Sequence, residues 1–537
     1  MKKNRLIHLP ITVLVICLCA TCVTVDGDFD SRNYTSPESF AYKTHGKGDE
    51  RTITITNYRG KNFNVNIPPR IGKFPVIGIE NGAFNKKNIT SVIIPLGISF
   101  IGDNAFANNQ LFTVTIPESV TKIGHGAFSG NKTLAGVIIP SGVTVINRSV
   151  FTDNQLKNIT ISPYITMIDN DAFSLNQLSV VIIPPNVTRI GNFAFAKNQL
   201  TRVELHEGLT IIEGNAFQNN SLTSIVIPKS VTSIGNYAFS YNQLNSVTLL
   251  DGLKSIGESA FQYNALVNIN IPDSVTSIGR RAFANNAIKS AVIPESVTSI
   301  GERAFADNNI ETLVIPHSIT IISDDAFHNN KLINVNIKEG VTYIGDRAFY
   351  NNSLVNISFP SSVQRIGHFA FWDNDLDSVT FHEGLITIES NSFCKNSIKS
   401  IIIPGTVKNV GDSAFENNKL THAEIKEGVE HLGSRVFFNN ALTAITLPST
   451  IKSLGESVFW GNAITKITLT RGFNYSFKKN EGLPEGFYSV FAANENSSGT
   501  YELRGEQWYI TDRPVIVIPE PEIVSDNFDN SEITDTE

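Results

Sequence analysis

Leu222-Thr-Ser-Ile-Val-Ile-Pro-Lys-Ser-Val-Thr-Ser-Ile-Gly-Asn-Tyr-Ala-Phe239-Ser-Tyr-Asn242-Gln243 is one copy of a phrase that this 537-residue chain repeats eighteen times. The phenylalanine that closes each copy falls at 84, 106, 128, 151, 173, 195, 217, 239, 261, 283, 305, 327, 349, 371, 393, 415, 437 and 459. Sixteen of the seventeen intervals are 22 residues, and only Phe128 to Phe151 is 23. A fixed period in this range is the mark of a solenoid. The chain therefore reads as a long stacked surface, not as a globule around one pocket.

Within the copy the apolar positions are Leu222, Ile225, Ile227, Val231, Ile234, Ala238 and Phe239. Ile225-Val226-Ile227 alternates in the period of a strand and is β-branched throughout, as a pleated surface favours. Pro228 ends that strand, having no N–H to give a ladder. Gly235 and the Ser/Asn-rich ends are expected to supply turns. Little α-helix is expected, because no segment holds a helical period over ten residues. About seven buried side chains fall short of the entropy cost of ordering 22 backbones, so one copy cannot fold alone. Stacking has to supply the difference, each phenylalanine packing on those of the neighbouring rungs. At about 4.8 Å per rung, eighteen rungs span roughly 85 Å. Phe84, Phe106, Phe239 and Phe261 stand here for that structural column.

Asparagine recurs three residues after the phenylalanine, from Asn109 through Asn242 and Asn264 to Asn462, with Lys87 as the exception. An amide offers both donors and an acceptor, so a column of them can satisfy turn groups of adjacent rungs. Seventeen copies of one residue do not describe a catalytic site. The pattern L-x-x-V-x-I-P-x-S-V-T-x-I-G-x-x-A-F-x-x-N resembles the BspA-like, treponemal-type leucine-rich repeats over residues 76–470. The resemblance implies a curved right-handed solenoid with a parallel sheet on its concave side. It also implies a cell-surface or secreted protein, in some members an adhesin for host matrix proteins or other bacteria. The family has no catalytic motif to carry over. The extra residue in Ser129–Thr133 is read as a loop insertion that leaves the stack undisturbed.

A 44-residue beat overlies the 22. His206-Glu-Gly208, Leu250-Asp-Gly252, Lys338-Glu-Gly340, His382-Glu-Gly384 and Lys426-Glu-Gly428 follow the strand in alternate repeats, where the others favour Pro-x-Ser. Growth by duplicated pairs explains the beat, and a charged ridge along one edge is its functional counterpart.

Residues 1–22 combine a basic start with an apolar run, which is the form of an export signal and too short for a retained membrane helix. Cys22 closes that run, and simple cleavage and lipidation at Cys22 both stay open. Residues 23–39 read as a linker. Residues 40–75 read as an N-terminal β cap, a hairpin of Thr52–Thr56 with Phe63–Ile67 that covers the open edge of the first rung. Residues 471–513 would cap the other end through Tyr501 and Trp508. The stretch 514–537 carries seven acids and no base, as an acidic disordered tail does. Those seven charges equal the net charge of −7, so the rest of the chain is balanced. Balance gives no reason to expect nucleic acid or an anionic bilayer as partner.

Chemistry is hard to place on this frame. The histidines do not converge: His206 and His382 share a phase eight rungs apart, and His317, His328, His422 and His431 form no metal set. Cys394 is an isolated cysteine. No phosphate loop, nucleophile elbow or zinc-protease motif occurs. The middle residue of each strand, which faces outward, is the place to build a binding surface. Ile93, Ile138, Ile182, Val226, Val292, Val314 and Ile402 make that row a mildly apolar ribbon, interspersed with Thr and Ser and only two acids, Glu204 and Glu424. Arg280, Arg281, Arg303 and Lys289 make a small basic patch. The expectation is a monomeric, non-enzymatic protein with no cofactor, exported and binding a protein ligand. An envelope scaffold without a host ligand is the alternative.

Overall fold

The computed structural model describes residues 33–512. The expected export signal at 1–22 with Cys22, most of the expected linker and the acidic stretch 514–537 lie outside the described residues. Between them runs a β-solenoid, and nearly every rung carries two short strands where the sequence suggests one; the rung at 156–161 lacks the longer of the two. The longer one, Ser224–Ile227 in the quoted copy, pairs in parallel with Ser246–Leu249 at a shift of 22 residues. The shorter one, Ser233–Ile234, pairs in parallel with Ile211–Ile212 and Ser255–Ile256. Two residues cannot show a period, so this second ladder leaves no strand signature in the sequence.

The third side of the rung has no strand, yet its amides are paired. Tyr237, Phe239 and Tyr241 donate to the carbonyls of Glu258, Ala260 and Gln262 in the next rung at 2.7, 2.8 and 3.0 Å. To aim these amides along the solenoid axis, Tyr237 and Tyr241 adopt left-handed φ values of 58° and 55°. The same two phases are left-handed in rung after rung, with residues as bulky as Phe369 (57°). The rung-to-rung pairing repays a conformation that L-residues otherwise avoid. Gly235, expected to make a turn, does not adopt it. A Cβ there would stand 2.5 Å from backbone atoms of Glu213 and Gly214, so this glycine exists for close approach of rung to rung.

Leu222, Ile225, Ile227, Val231, Ile234, Ala238 and Phe239 all point inward and are buried. The phenylalanines stack without a break from Phe84 to Phe459, centroids 4.9–6.0 Å apart and planes within 18°. The 23-residue interval keeps the stack at 5.7 Å. Its extra residue is absorbed in a turn, the Leu134 amide bonding to the Asn131 carbonyl.

At the N-terminal end β1 (Phe40–His45) pairs antiparallel with β2 (Thr52–Tyr58), and Tyr58 extends the aromatic column by stacking on Phe84 at 5.6 Å. The expected hairpin is corrected. β3 (Asn64–Asn66) does not pair with β2; it joins the long-strand ladder beside Ser91–Ile93, whereas β2 starts the short-strand side beside Phe74–Ile79. The two stretches alternate like hairpin partners but feed different ladders, because residues 61–63 carry the chain across the rung. At the far end Gly499–Arg504 pairs antiparallel with Lys466–Leu469, followed by Gln507–Asp512. Helix α1 (Glu485–Ala493) packs there, and Phe487, Phe491, Tyr501 and Trp508 are buried together.

Candidate functional site

The long strand sends its first and third apolar residues into the core and its middle residue out. Ile225 and Ile227 are buried, and Val226 between them is exposed. Repetition turns that middle position into a row. Ile93, Ile138, Ile182, Val226, Val292, Val314 and Ile402 are 46–67% exposed, and in parallel register each stands beside the corresponding residue of a neighbouring strand. Val292 lies beside Asn270, and Val314 beside Asn336, so an adjacent apolar pair is bracketed by two amides. Phe112 (65%) and Ile333 (55%) flank the row, and Phe63 of the N-terminal segment is exposed near its start. Charge on this face is sparse and partly self-paired: Arg202 pairs with Glu204, and Lys399 with Asp377 at 3.4 Å.

The asparagine column is a buried clamp. Asn242 donates from Nδ2 to the carbonyls of Phe217 (2.9 Å) and Phe239 (3.1 Å), and its Oδ1 accepts from the Leu222 amide at 3.0 Å. Asn264 repeats this one rung on with Phe239, Phe261 and Leu244. At the insertion Asn154 accepts instead from the Asn131 amide. Lys87 stands in the first copy, which has no preceding phenylalanine carbonyl to clamp, and Asn109 completes that copy by donating to the Phe84 carbonyl and accepting from the Lys87 and Ile89 amides.

The 44-residue beat is an interlock between rung types. The amides of Gly208, Gly252 and Gly340 donate to the hydroxyls of Ser230, Ser274 and Ser362 in the following rung at 2.9–3.2 Å. These glycines have φ of 110–132°, where a side chain would be strained. Glu339 accepts from the amides of Ser361 and Ser362, which holds its carboxyl below the ordinary range. Along the expected charged ridge Glu207 and Glu427 likewise accept from amides of the following rung and Glu383 pairs with Lys426, whereas Asp251 is exposed.

On the strandless side Arg280 and Arg303 of the expected basic patch are paired with acids, whereas Lys289 lies off this side, next to the long strand Ser290–Val292. Arg280 lies between Glu258 (3.4 Å) and Glu302 (3.3 Å), and Arg303 near Glu302 and Asp325. Asp325, almost fully buried, also takes two bonds from Arg347 (2.9 and 3.2 Å) and faces His328 at 3.4 Å. This Arg303–Asp325–Arg347 bridge was missed from sequence. Its signal was present as alternating charge at a spacing of 22. Among the described residues no three His, Cys, Asp or Glu side chains are grouped to hold a metal. No helix among them is long and apolar enough to cross a membrane. Cys394 is buried, and burial together with Glu416 pushes its thiol up to about 11. Two open grooves of about 500 and 520 Å³ run beside the short-strand ladder at Glu213–Tyr237 and Phe100–Lys122.

Residues 77–202, 166–289, 254–376 and 364–483 match the family described as BspA type leucine rich repeat region (6 copies). None of the curated proteins matches the chain. Among solved structures it is similar to a leucine-rich repeat protein from Bacteroides ovatus, at 20% identity over 74% of this chain and 94% of that one, with a TM-score of 0.44. It is also similar to a leucine rich cell surface protein from Faecalibacterium prausnitzii, at 24% identity over 84% and 98%, with a TM-score of 0.32.

Proposed function

Because the chain belongs to the BspA-type leucine-rich-repeat family, we propose that it is an exported, non-catalytic binding protein that engages a protein ligand through the outward row of its long strands. The observation that carries this reading is the row itself. Seven aliphatic side chains that the core has no use for are 46–67% exposed, with Val292 and Val314 on neighbouring strands. Apolar side chains gathered on one face mark an interaction surface. Parallel pairing in fixed register keeps the surface rigid, which lowers the ordering cost of binding. A ligand on a host cell or a neighbouring bacterium fits the family resemblance, as does a place on the cell surface, free or held by a lipid on Cys22.

The test is a binding screen of residues 23–537 against matrix proteins, plasma proteins and bacterial surface extracts, in parallel with Val292→Lys/Val314→Lys. Saturable binding that the double variant weakens by tenfold or more is expected. Binding indifferent to both lysines would move the site off the row, and no binding at all would favour an envelope scaffold.

A further inference from the structure

The last rung closes on a buried acid. The Phe437 amide donates to the carbonyl of Val458, and in the same role the Phe459 amide donates to the carbonyl of Glu481 at 3.1 Å. Ser457 likewise donates to Asn480. The turn Lys479–Glu481 therefore stands in for the rung that would come next, 22 residues beyond Phe459. Where other rungs bury alanine, valine or phenylalanine, this one buries a carboxyl: Glu481 has no exposed surface. Its Oε1 accepts from the Tyr475 hydroxyl at 2.6 Å, and its Oε2 is buried with no hydrogen-bond partner. At the other end the column continues into Tyr58, an uncharged ring.

Charge around this carboxyl does not balance it. No ion pair among the described residues includes Glu481. The groups that face it are Tyr475 from the preceding segment, Lys478 from its own turn, and Tyr488 from α1, whose hydroxyl accepts from the Leu483 amide. Lys478, the one cation of the three, is exposed. The neighbouring rung brings a second acid, Glu456, which accepts from Asn480 at 3.0 Å. An ionised carboxylate with one bare oxygen is far costlier to bury than the neutral acid. Burial pushes the Glu481 carboxyl up, with the Tyr475 bond opposing.

We propose that Glu481 makes the C-terminal cap a proton-responsive closure, seated firmly on the last rung when the carboxyl is neutral and loosened when it ionises. A carboxyl whose folded pKa is raised stabilises fully below its unfolded pKa of about 4.3, and the stabilisation fades as pH rises through the folded value. The cap is thus firmer in acid, and neutral pH favours release of the Ser457 and Phe459 amides.

The experiment is hydrogen exchange on the full chain at pH 4 and pH 7.5, normalised for intrinsic rates. Ser457 and Phe459 report the cap, and Phe261, which donates to Ala282, serves as internal control. Protection at the cap should fall with pH by about tenfold for each unit by which the carboxyl is raised, with Phe261 unchanged. Glu481→Gln should hold the cap protected at both pH values. Equal protection at both in the wild type, or an equal fall in Glu481→Gln, overturns the proposal. Should Glu481→Gln leave the cap unprotected throughout, the ¹³C titration of the wild-type carboxyl decides. A midpoint above the ordinary range supports the proposal, and one at or below it overturns it.

Discussion

Asn242→Ala and Asn242→Asp together test the clamp that recurs in every rung. Alanine deletes three bonds of 2.9–3.1 Å and a longer one to the Ser240 carbonyl at 3.4 Å, and the losses are unequal. The Phe217 carbonyl keeps Asn220 and the Phe239 carbonyl keeps Asn264, so each retains a partner. Only the Leu222 amide is left bare and buried, since Asn242 Oδ1 is its acceptor. An orphaned buried donor costs about 1–3 kcal/mol, and each of the two bonds to the phenylalanine carbonyls about 0.5–1.5, for a total of about 2–6 kcal/mol. Aspartate keeps the acceptor for Leu222 but turns an oxygen toward two carbonyls and buries a charge. It should therefore cost more than alanine at pH 7 and recover in acid as the carboxyl protonates. Long repeat arrays do not unfold in one step, so the assay is hydrogen exchange at Phe217, Leu222 and Phe239, with distant rungs as reference. The reasoning fails if aspartate is tolerated as well as asparagine, or if alanine costs under about 0.5 kcal/mol.

Phe261→Ala opens a cavity between rings 5.4 and 5.5 Å away and should cost about 3–5 kcal/mol; an unchanged melting curve would sink the stacking argument. Cys394, with its thiol pushed up to about 11, should resist a chromogenic disulfide reagent at pH 8 until the protein is denatured, and rapid labelling of the folded chain would contradict its burial. Glu339, lowered by its bonds to Ser361 and Ser362, contributes stability above the unfolded carboxylate pKa and loses it as pH falls. Exchange at the Ser361 amide should accelerate toward pH 3 in the wild type but not in Glu339→Gln, and matching profiles would refute this.

What could be read without coordinates was whatever repeats. Eighteen phenylalanines at one spacing imply the stack, and the alternation of Ile225, Val226 and Ile227 gives the exposed row residue by residue. The amides at F+3 announced a clamp, though not which groups it holds. The failures are instructive in the same terms. The second ladder is two residues long and carries no period. Gly235 was read through its usual liking for turns, when close backbone approach explains it and the left-handed positions belong to Tyr237 and Tyr241. The N-terminal hairpin failed because alternation describes a strand but not its partner, and β2 and β3 found theirs on different ladders. Glu481 was invisible as a buried acid because it falls just after the last recognisable copy.

The clamp also has a direction. Asn242 reaches back to the Phe217 carbonyl of the preceding copy and to the Leu222 amide that opens its own, so each copy's phenylalanine carbonyl is met by the amide of the copy made after it. A chain emerging from the ribosome carries one unfinished rung at its growing end throughout synthesis, and each new copy heals the one before. Trimming copies from the back strands amides of the strandless side, where Phe239 donates forward to Ala260, and trimming from the front strands amides beside the short strand, where Thr232 and Gly235 donate back to Thr210 and Ile212. A shortened solenoid therefore exposes unmet groups whichever end is cut, and each end needs its own cap.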